Sequence, residues 1–586
     1  MTAGRAGAET PMLAVFRGVL GPLILMSCVI NVLSLTGSLY MLQIYDRVLT
    51  SQNLATLIGL SILAGGLFVI QGVLEVIRAR IMRRVGDRVE RSLMPAAHEA
   101  AARLPLRGVA GPEAVQPVRD VERMRAFLVG QGPTAIFDLP WLPIYVVFAA
   151  ALHPILGLTT VAGILVLVLL ASISEHVMRD RNAALVKLAA RRLAIAEEST
   201  RNAEAAAAMG FATRLRDRFL ARGDELLDAS AAANDTGAAL TSLSRVFRVM
   251  LQSIIIGIGA WLAIRGMLTS GAMIAASIVA ARALAPAELA IANWRPFAEA
   301  REARRRLAEL GIGSPAQEPA VTALPAPSRS LRVENLSVVL PSGLRVVDSV
   351  SFELAAGQGL GIIGPSAAGK SSLARALLGI WPATTGAVRI DGATLKQWEG
   401  SNLGRHLGYM PQDVQLFDGT IAENIARFET EPDSAAILAA AKAAHVHDMI
   451  LRLPKGYDTP IGLGGAHLSA GQRQRIALAR ALYRDPFLVV LDEPSSNLDG
   501  EGDAALMAAI RDIRRRGAIV VIIAHRPGTL AAVDQVAIMT RGKLTDIGPR
   551  NEILRKVVRP SPPTSPAAAE AAPSVTLLAR GPERSK

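Results

Sequence analysis

Gly364-Pro365-Ser366-Ala367-Ala368-Gly369-Lys370-Ser371 has the form G-x-x-x-x-G-K-S. Leu360 to Ile363, just before it, is apolar and reads as a buried strand. Ser372 to Leu378, just after it, reads as a helix. Strand, glycine-rich loop and helix in that order make a phosphate-binding loop. The glycines let the backbone wrap closely around an anion, and the helix adds the positive end of its dipole. Gly364, Pro365, Ser366, Ala367, Ala368, Gly369, Lys370, Ser371 and Ser372 are therefore expected to line a nucleoside triphosphate site. Lys370 would reach the β- and γ-phosphates, and the Ser371 hydroxyl would ligate Mg²⁺.

Further along the chain, Phe487 to Leu491 is an apolar strand that ends in Asp492-Glu493. A buried strand would deliver this acidic pair beside the phosphate loop. Asp492 is placed to hold Mg²⁺, and Glu493 to orient and activate the attacking water. Leu468-Ser469-Ala470-Gly471-Gln472 opens a helix and offers a second anion site. One chain holds one phosphate loop, so this second site calls for a second copy. Ser469, Gly471 and Gln472 would complete the partner's nucleotide site in a homodimer. An ordinary cap at Ser469 is the simpler reading, but the spacing ahead of Asp492 favours the shared site. Gln412, in Tyr409-Met410-Pro411-Gln412-Asp413, would ligate Mg²⁺ or water. His525, after the apolar run Val521 to Ile523, would be a hydrogen-bonding switch near the γ-phosphate. Asp499, in Ser495-Ser496-Asn497-Leu498-Asp499, would cross the dimer interface.

Apolar β-rich runs alternate with helices from Leu331 onward: Val346 to Leu354, Leu360 to Ile363, Ala387 to Ile390, Phe487 to Leu491 and Ala518 to Ile523. Such alternation predicts an α/β domain with a largely parallel core sheet. Pro, Ala and Ser dominate Gly311 to Arg329, which reads as a linker, and they return near the C-terminus. The expected organisation is a membrane domain over 1–310, a linker over 311–329, an ATPase domain over 330–557 and a disordered tail over 558–586.

The first half has a different character. Of the 586 residues, 51% are hydrophobic and only 19% charged, which points to chain held in lipid. Six apolar spans are expected, near Val19–Gln43, Leu57–Ile77, Thr134–Leu152, Ile155–Ile173, Met250–Ile264 (extended by its flanks) and Gly271–Ile291; the first is long enough for a ~30 Å hydrocarbon core. No small-residue cleavage site closes the first span, so it reads as retained. The net charge is +13, but the excess gathers beside these spans, as at Arg78, Arg80, Arg83, Arg84, Arg88 and Arg91. That pattern argues for membrane lipids rather than nucleic acid as the partner. By the positive-inside rule it also puts the long connections after spans two and four in the cytoplasm. These connections read as helical extensions able to press on the ATPase. The single cysteine, Cys28, excludes an internal disulfide, a cysteine metal cluster and a redox pair.

Polar residues at membrane depth are costly and face a cavity or another helix. The first span carries Asn31, Ser34, Thr36, Ser38, Tyr40 and Gln43, followed by Tyr45-Asp46-Arg47. The third opens with Asp138-Leu139-Pro140-Trp141-Leu142-Pro143. Hydrogen bonding between helices is the favoured reading for these residues individually.

Together these landmarks resemble ABC transporters: phosphate loop, Gln412, the signature Leu468 to Gln472, Asp492-Glu493, Asp499 and His525. Six spans ahead of one such domain resemble a half-size exporter, an α-helical six-span membrane domain fused to an α/β ATPase. Leu35 to Leu49, Phe137 to Trp141 with Pro143-Ile144-Tyr145, and Asn202-Ala203-Glu204 with Ala208-Met209-Gly210 are similar to type I secretion exporters of the alkaline-protease (RTX) branch. The resemblance implies an ATP-hydrolysing inner-membrane homodimer. It implies a periplasmic adaptor, an outer-membrane channel and secreted protein substrates with C-terminal signals. A lipid, drug or peptide exporter of the same fold is the alternative. Three departures stand out. Val339 or Leu340 replaces the adenine-stacking aromatic, Ala470 replaces a signature glycine, and Ile461 to Ala466 lacks an acidic residue. With no peptidase-like segment ahead of the first span, substrate leader cleavage is not expected.

Overall fold

A computed structural model describes residues 11–109, 111–312, 324–340, 342–398, 401–498, 500–524, 526 and 528–558. The chain divides into two compact units, Met1–Gln317 and Glu318–Lys586. The middle of the expected linker, and the expected tail beyond Val558, lie outside the described residues.

Six helices in the first unit are long and apolar enough to cross a membrane: Gly18–Ser51, Leu54–Arg103, Gly132–Leu152, Pro154–Arg201, Ala212–Ile264 and Ser270–Ala290. Three of them hold 48 to 53 residues. At 1.5 Å per residue these run more than twice the hydrocarbon thickness, so much of each lies outside lipid. The surplus builds a helical hub. Val85, Val89, Leu93 and Ala97 of the second helix pack with Val121, Met124 and Leu128 of Gln116–Val129 and with Ala303 and Leu307 of Trp294–Glu309. Fully burying one such Val or Leu contributes about 1.5–3 kcal/mol. Asp120, 1% exposed, lies inside this hub. Its two oxygens accept from Arg306 at 2.7 and 2.8 Å, and Gln116 donates to it at 2.8 Å.

The first span is not one continuous α-helix. Helix Pro11–Leu33 gives way to a turn, helix Thr36–Gln43 and a wider π-helical turn, Ile44–Val48. The break has a local cause. The Ser34 hydroxyl donates to the Asn31 carbonyl at 2.8 Å and competes with the main-chain ladder.

Several of the polar residues singled out above find partners on neighbouring helices. Asp138 accepts from Arg78 at 2.7 Å and from Asn31 at 3.0 Å. The Tyr145 hydroxyl donates to Asn31 Oδ1 at 2.8 Å and lies 2.5 Å from the Ser34 hydroxyl. The first three spans are thereby joined by hydrogen bonds inside the bundle, where a lost partner would leave a costly buried polar group. At the other end of the first span, Asp46 accepts from the Gly271 amide at 2.9 Å and from the Thr269 hydroxyl at 2.5 Å. It thus caps the sixth helix.

The second unit has a second, antiparallel sheet beside the largely parallel core sheet that was expected. The antiparallel sheet has the order β2 (Arg345–Ala355), β1 (Ser330–Val339), β4 (Thr385–Ile390), β5 (Ala393–Thr394). The runs Val346–Leu354 and Ala387–Ile390 belong here. The other runs β10 (Lys543–Pro549), β9 (Gln535–Thr540), β3 (Gly359–Ile363), β8 (Ile519–Ile523), β7 (Leu488–Asp492), β6 (Leu407–Met410). All its pairings are parallel except β10 with β9. Every residue of β7 and β8 is buried, as central parallel strands require.

Candidate nucleotide site

Ligands on an open parallel sheet bind beyond the carboxyl ends of its strands. Three expected elements leave that edge together. The phosphate loop follows β3. Asp492-Glu493 ends β7, with Asp492 level with Ile523 of β8. Gln412 follows β6 by two residues, past the Met410–Leu491 pairing, and is exposed. His525 follows the same edge by sequence but lies, with Asp499, outside the described residues.

Both motif glycines are required by packing. A side chain at Gly364 would start 2.1 Å from the Met539 carbonyl oxygen. One at Gly369, where φ is +98°, would start 2.4 Å from the Val346 carbonyl oxygen. Between them Pro365, Ser366 and Ala367 are exposed, while Ala368 is buried. Helix Lys370–Leu377 starts directly behind the loop and aims its first amides into it. Lys370 is 6% exposed, and its ammonium donates to the carbonyls of Gly364 and Pro365, each at 2.9 Å. Burial pulls the ammonium below its usual range, against the opposing pull of Glu493 and Asp492.

Asp492 is 2% exposed. Its Oδ1 is buried with no hydrogen-bond partner among the described residues. Burial pushes its carboxyl above the usual carboxylate range, and Glu493 adds to the rise. The Ser371 hydroxyl, Arg375 and Lys370 act in the opposite direction. A buried anionic oxygen without a partner is costly. It fits a hard divalent cation, for which oxygen ligands from a carboxylate and a hydroxyl are suited. Asp492 and Ser371 could hold Mg²⁺ here, and the loop with Lys370 could hold the phosphates. Glu493 has φ +51°, a left-handed conformation uncommon for a side chain of this type. Its amide donates to the Ile523 carbonyl at 3.0 Å, which fixes it to the end of β8.

The signature helix, Ala470–Leu482, starts at Ser469. Ser469 is its N-cap, as the simpler reading of the sequence had it. Its hydroxyl accepts from the Gln472 amide at 3.3 Å, while the Gln472 side chain accepts from the Ser469 amide at 2.9 Å. Gln472 thus holds Ser469 in place rather than reaching outward. Ser469 itself stays exposed.

Residues 347–496 match the ABC transporter family, and residues 20–282 match the ABC transporter transmembrane region. The type I secretion system ATP-binding protein PrsD of Rhizobium meliloti is 49% identical over 535 residues, 91% of this chain and 92% of PrsD. This chain belongs to the ABC transporter family. The transporter is also 28% identical to the cyclolysin secretion/processing ATP-binding protein CyaB of Bordetella pertussis, over 93% of this chain and 77% of CyaB. Among solved structures, a bacterial Atm1-family ABC exporter with ATP bound matches with a TM-score of 0.79 at 25% identity, covering 93% of this chain and 97% of that one. The transporter is therefore an ATPase coupled to transport, built from a membrane domain and an ATPase domain.

Two features of the transporter's site were not read from the sequence. Ser495 and Thr529 are buried, with their hydroxyls 3.2 Å apart, joining the segments after β7 and β8. Gln474 is buried on the signature helix and bonds the turn after Glu493. A signal for Gln474 was present. It shares a face with Ala477, Leu478 and Ala481, so its helical spacing puts an amide on the apolar side.

Proposed function

We propose that this protein is the ATP-driven exporter of a type I secretion system in a bacterial inner membrane. It works as a homodimer with a periplasmic adaptor and an outer-membrane channel, and it moves unfolded proteins with C-terminal signals out of the cytoplasm. Its 49% identity to PrsD over nearly the whole of both chains carries this reading.

In the proposed cycle two copies close around ATP. Lys370 and the loop amides bind the phosphates of one site. Ser469 and Gly471 of the other copy bind them from the opposite side. Ser371 and Asp492 would hold Mg²⁺, with Gln412 as a further candidate ligand, and the ion would offset phosphate charge. Glu493 orients the attacking water and accepts its proton, and His525 and Asp499 complete the site. The long cytoplasmic extensions carry the closure to the membrane helices.

Deletion of the gene, followed by comparison of secreted proteins, tests the export reading. At least one protein should vanish from the medium and return with the wild-type gene but not with Glu493→Gln. An unchanged set of secreted proteins would overturn it. In the purified protein, Glu493→Gln should still bind ATP and accumulate as a closed dimer. Rapid steady-state turnover by that variant would remove Glu493 from its role.

A further inference from the structure

The Gln474 side chain is 3% exposed and spans one turn of chain from both ends. Its Nε2 donates to the Pro494 carbonyl at 2.5 Å and lies 3.5 Å from the Glu493 carbonyl and 3.4 Å from the Ser496 hydroxyl. Its Oε1 accepts from the Asn497 amide at 3.1 Å. The helix and this turn are in close contact elsewhere too, since a side chain at Gly471 would start 3.1 Å from the Asn497 carbonyl oxygen. The turn begins at Glu493, whose left-handed backbone needs support from its surroundings to persist. Part of that support comes from the Ile523 carbonyl on one side. Gln474 supplies it on the other.

We infer that Gln474 is a positioning residue that ties the signature helix to the turn carrying Glu493. The start of that helix, Ser469, serves the partner copy's nucleotide, whereas Glu493 serves this copy's own. Correct seating of one site therefore sets the pose of the water-activating carboxylate in the other. The inference rests on the composite dimer proposed above. The chemistry demands an amide at this position. Only a side chain with a donor and an acceptor can hold the Pro494 carbonyl and the Asn497 amide together. A carboxylate lacks the donor, and a thioether lacks both useful groups.

The test is a double-mutant cycle on ATP hydrolysis by the full-length protein. Gln474→Met fills the same space without the hydrogen bonds. It should lower kcat by about 10- to 100-fold while KM for ATP moves less than about threefold, as expected for a misplaced catalytic group. Gln474→Asn keeps the amide but is one methylene too short, and should show the same split if Gln474→Met does not fold. In a Ser469→Ala background, the further loss caused by either variant should be much smaller, because both residues act along one connection. Wild-type kcat in a folded Gln474 variant overturns the inference. So does a loss that simply multiplies with that of Ser469→Ala. Trapping by Glu493→Gln separates this outcome from failure of the dimer itself. If Glu493→Gln with Gln474 intact forms no ATP-dependent dimer, the composite-site reading fails and the inference falls with it. If the dimer forms, the cycle alone decides.

Discussion

Asp120 in the first unit and Asp492 in the second are both carboxylates removed from water, at 1% and 2% exposure. Their surroundings are opposite. Asp120 is gripped at both oxygens by Arg306, with Gln116 as a further donor. Asp492 keeps one buried oxygen unanswered, although a buried lysine and Arg375 are close enough to influence its charge. Lys370 spends its hydrogens on its own loop. A carboxylate with all its partners in the protein holds helices together. One left short of partners is ready for something that arrives from solution.

The contrast can be broken at three points. Asp492→Asn should have the largest effect, a fall in ATP hydrolysis of at least about 100-fold, since a neutral amide is a poorer ligand for Mg²⁺ than a carboxylate. Thermal unfolding of the nucleotide-free variant should show no loss of stability. A large loss would make Asp492 a structural residue like Asp120. Asp120→Leu should do the reverse. It should destabilise the protein by about 3 kcal/mol, because the partly buried Arg306 loses both bonds to Asp120 and keeps only its longer contact with Glu302. ATP hydrolysis per folded molecule should stay within about twofold. Replacing both residues, as Asp120→Leu with Arg306→Met, should recover much of that stability in the same unfolding measurement. The smallest effect concerns pH. Burial raises the Asp492 carboxyl in the folded protein, so its ionised form opposes folding. The contribution of Asp492 to stability is complete below its unfolded pKa and is lost as pH rises through the raised folded value. Unfolding titrations without nucleotide should therefore find Asp492→Asn ahead of wild type at neutral pH. The gap should narrow as pH falls into the ordinary carboxylate range. A gap that widens on acidification would reverse the assignment.

The chemical motifs were legible because each is local. Gly364 to Ser371, Leu468 to Gln472 and Asp492-Glu493 each occupy a few consecutive residues, and the apolar runs before them mark the strands. The spans were legible for the same reason, through length and hydropathy. Pairing was harder to read. Val346–Leu354 was read into the parallel core, yet β2 is antiparallel to β1. Its own pattern held the correction. Val350, Phe352 and Leu354 are buried while Ser351 and Glu353 are exposed, the alternation of a sheet with one solvated face. β6, β9 and β10 are short or mixed in character and left no comparable mark. Long-range polar contacts left none either. Asn31 and Asp138 stand 107 positions apart and Asp46 and Gly271 stand 225 apart, so neither pairing shows in any window of sequence.

That last contact closes the membrane half on itself. Asp46 lies near the C-terminal end of the first span and Gly271 near the N-terminal end of the sixth. The second to fifth helices are therefore bracketed like a belt between buckle and tongue. Spreading the first and sixth helices apart at these ends means withdrawing a carboxylate from a helix end and from the Thr269 hydroxyl. Gly271 also sets how tightly the buckle can shut, since a side chain there would start 2.7 Å from the Leu42 carbonyl oxygen. The first and sixth helices are fastened at these ends by a polar clasp that water can reach and undo, rather than by an apolar seal.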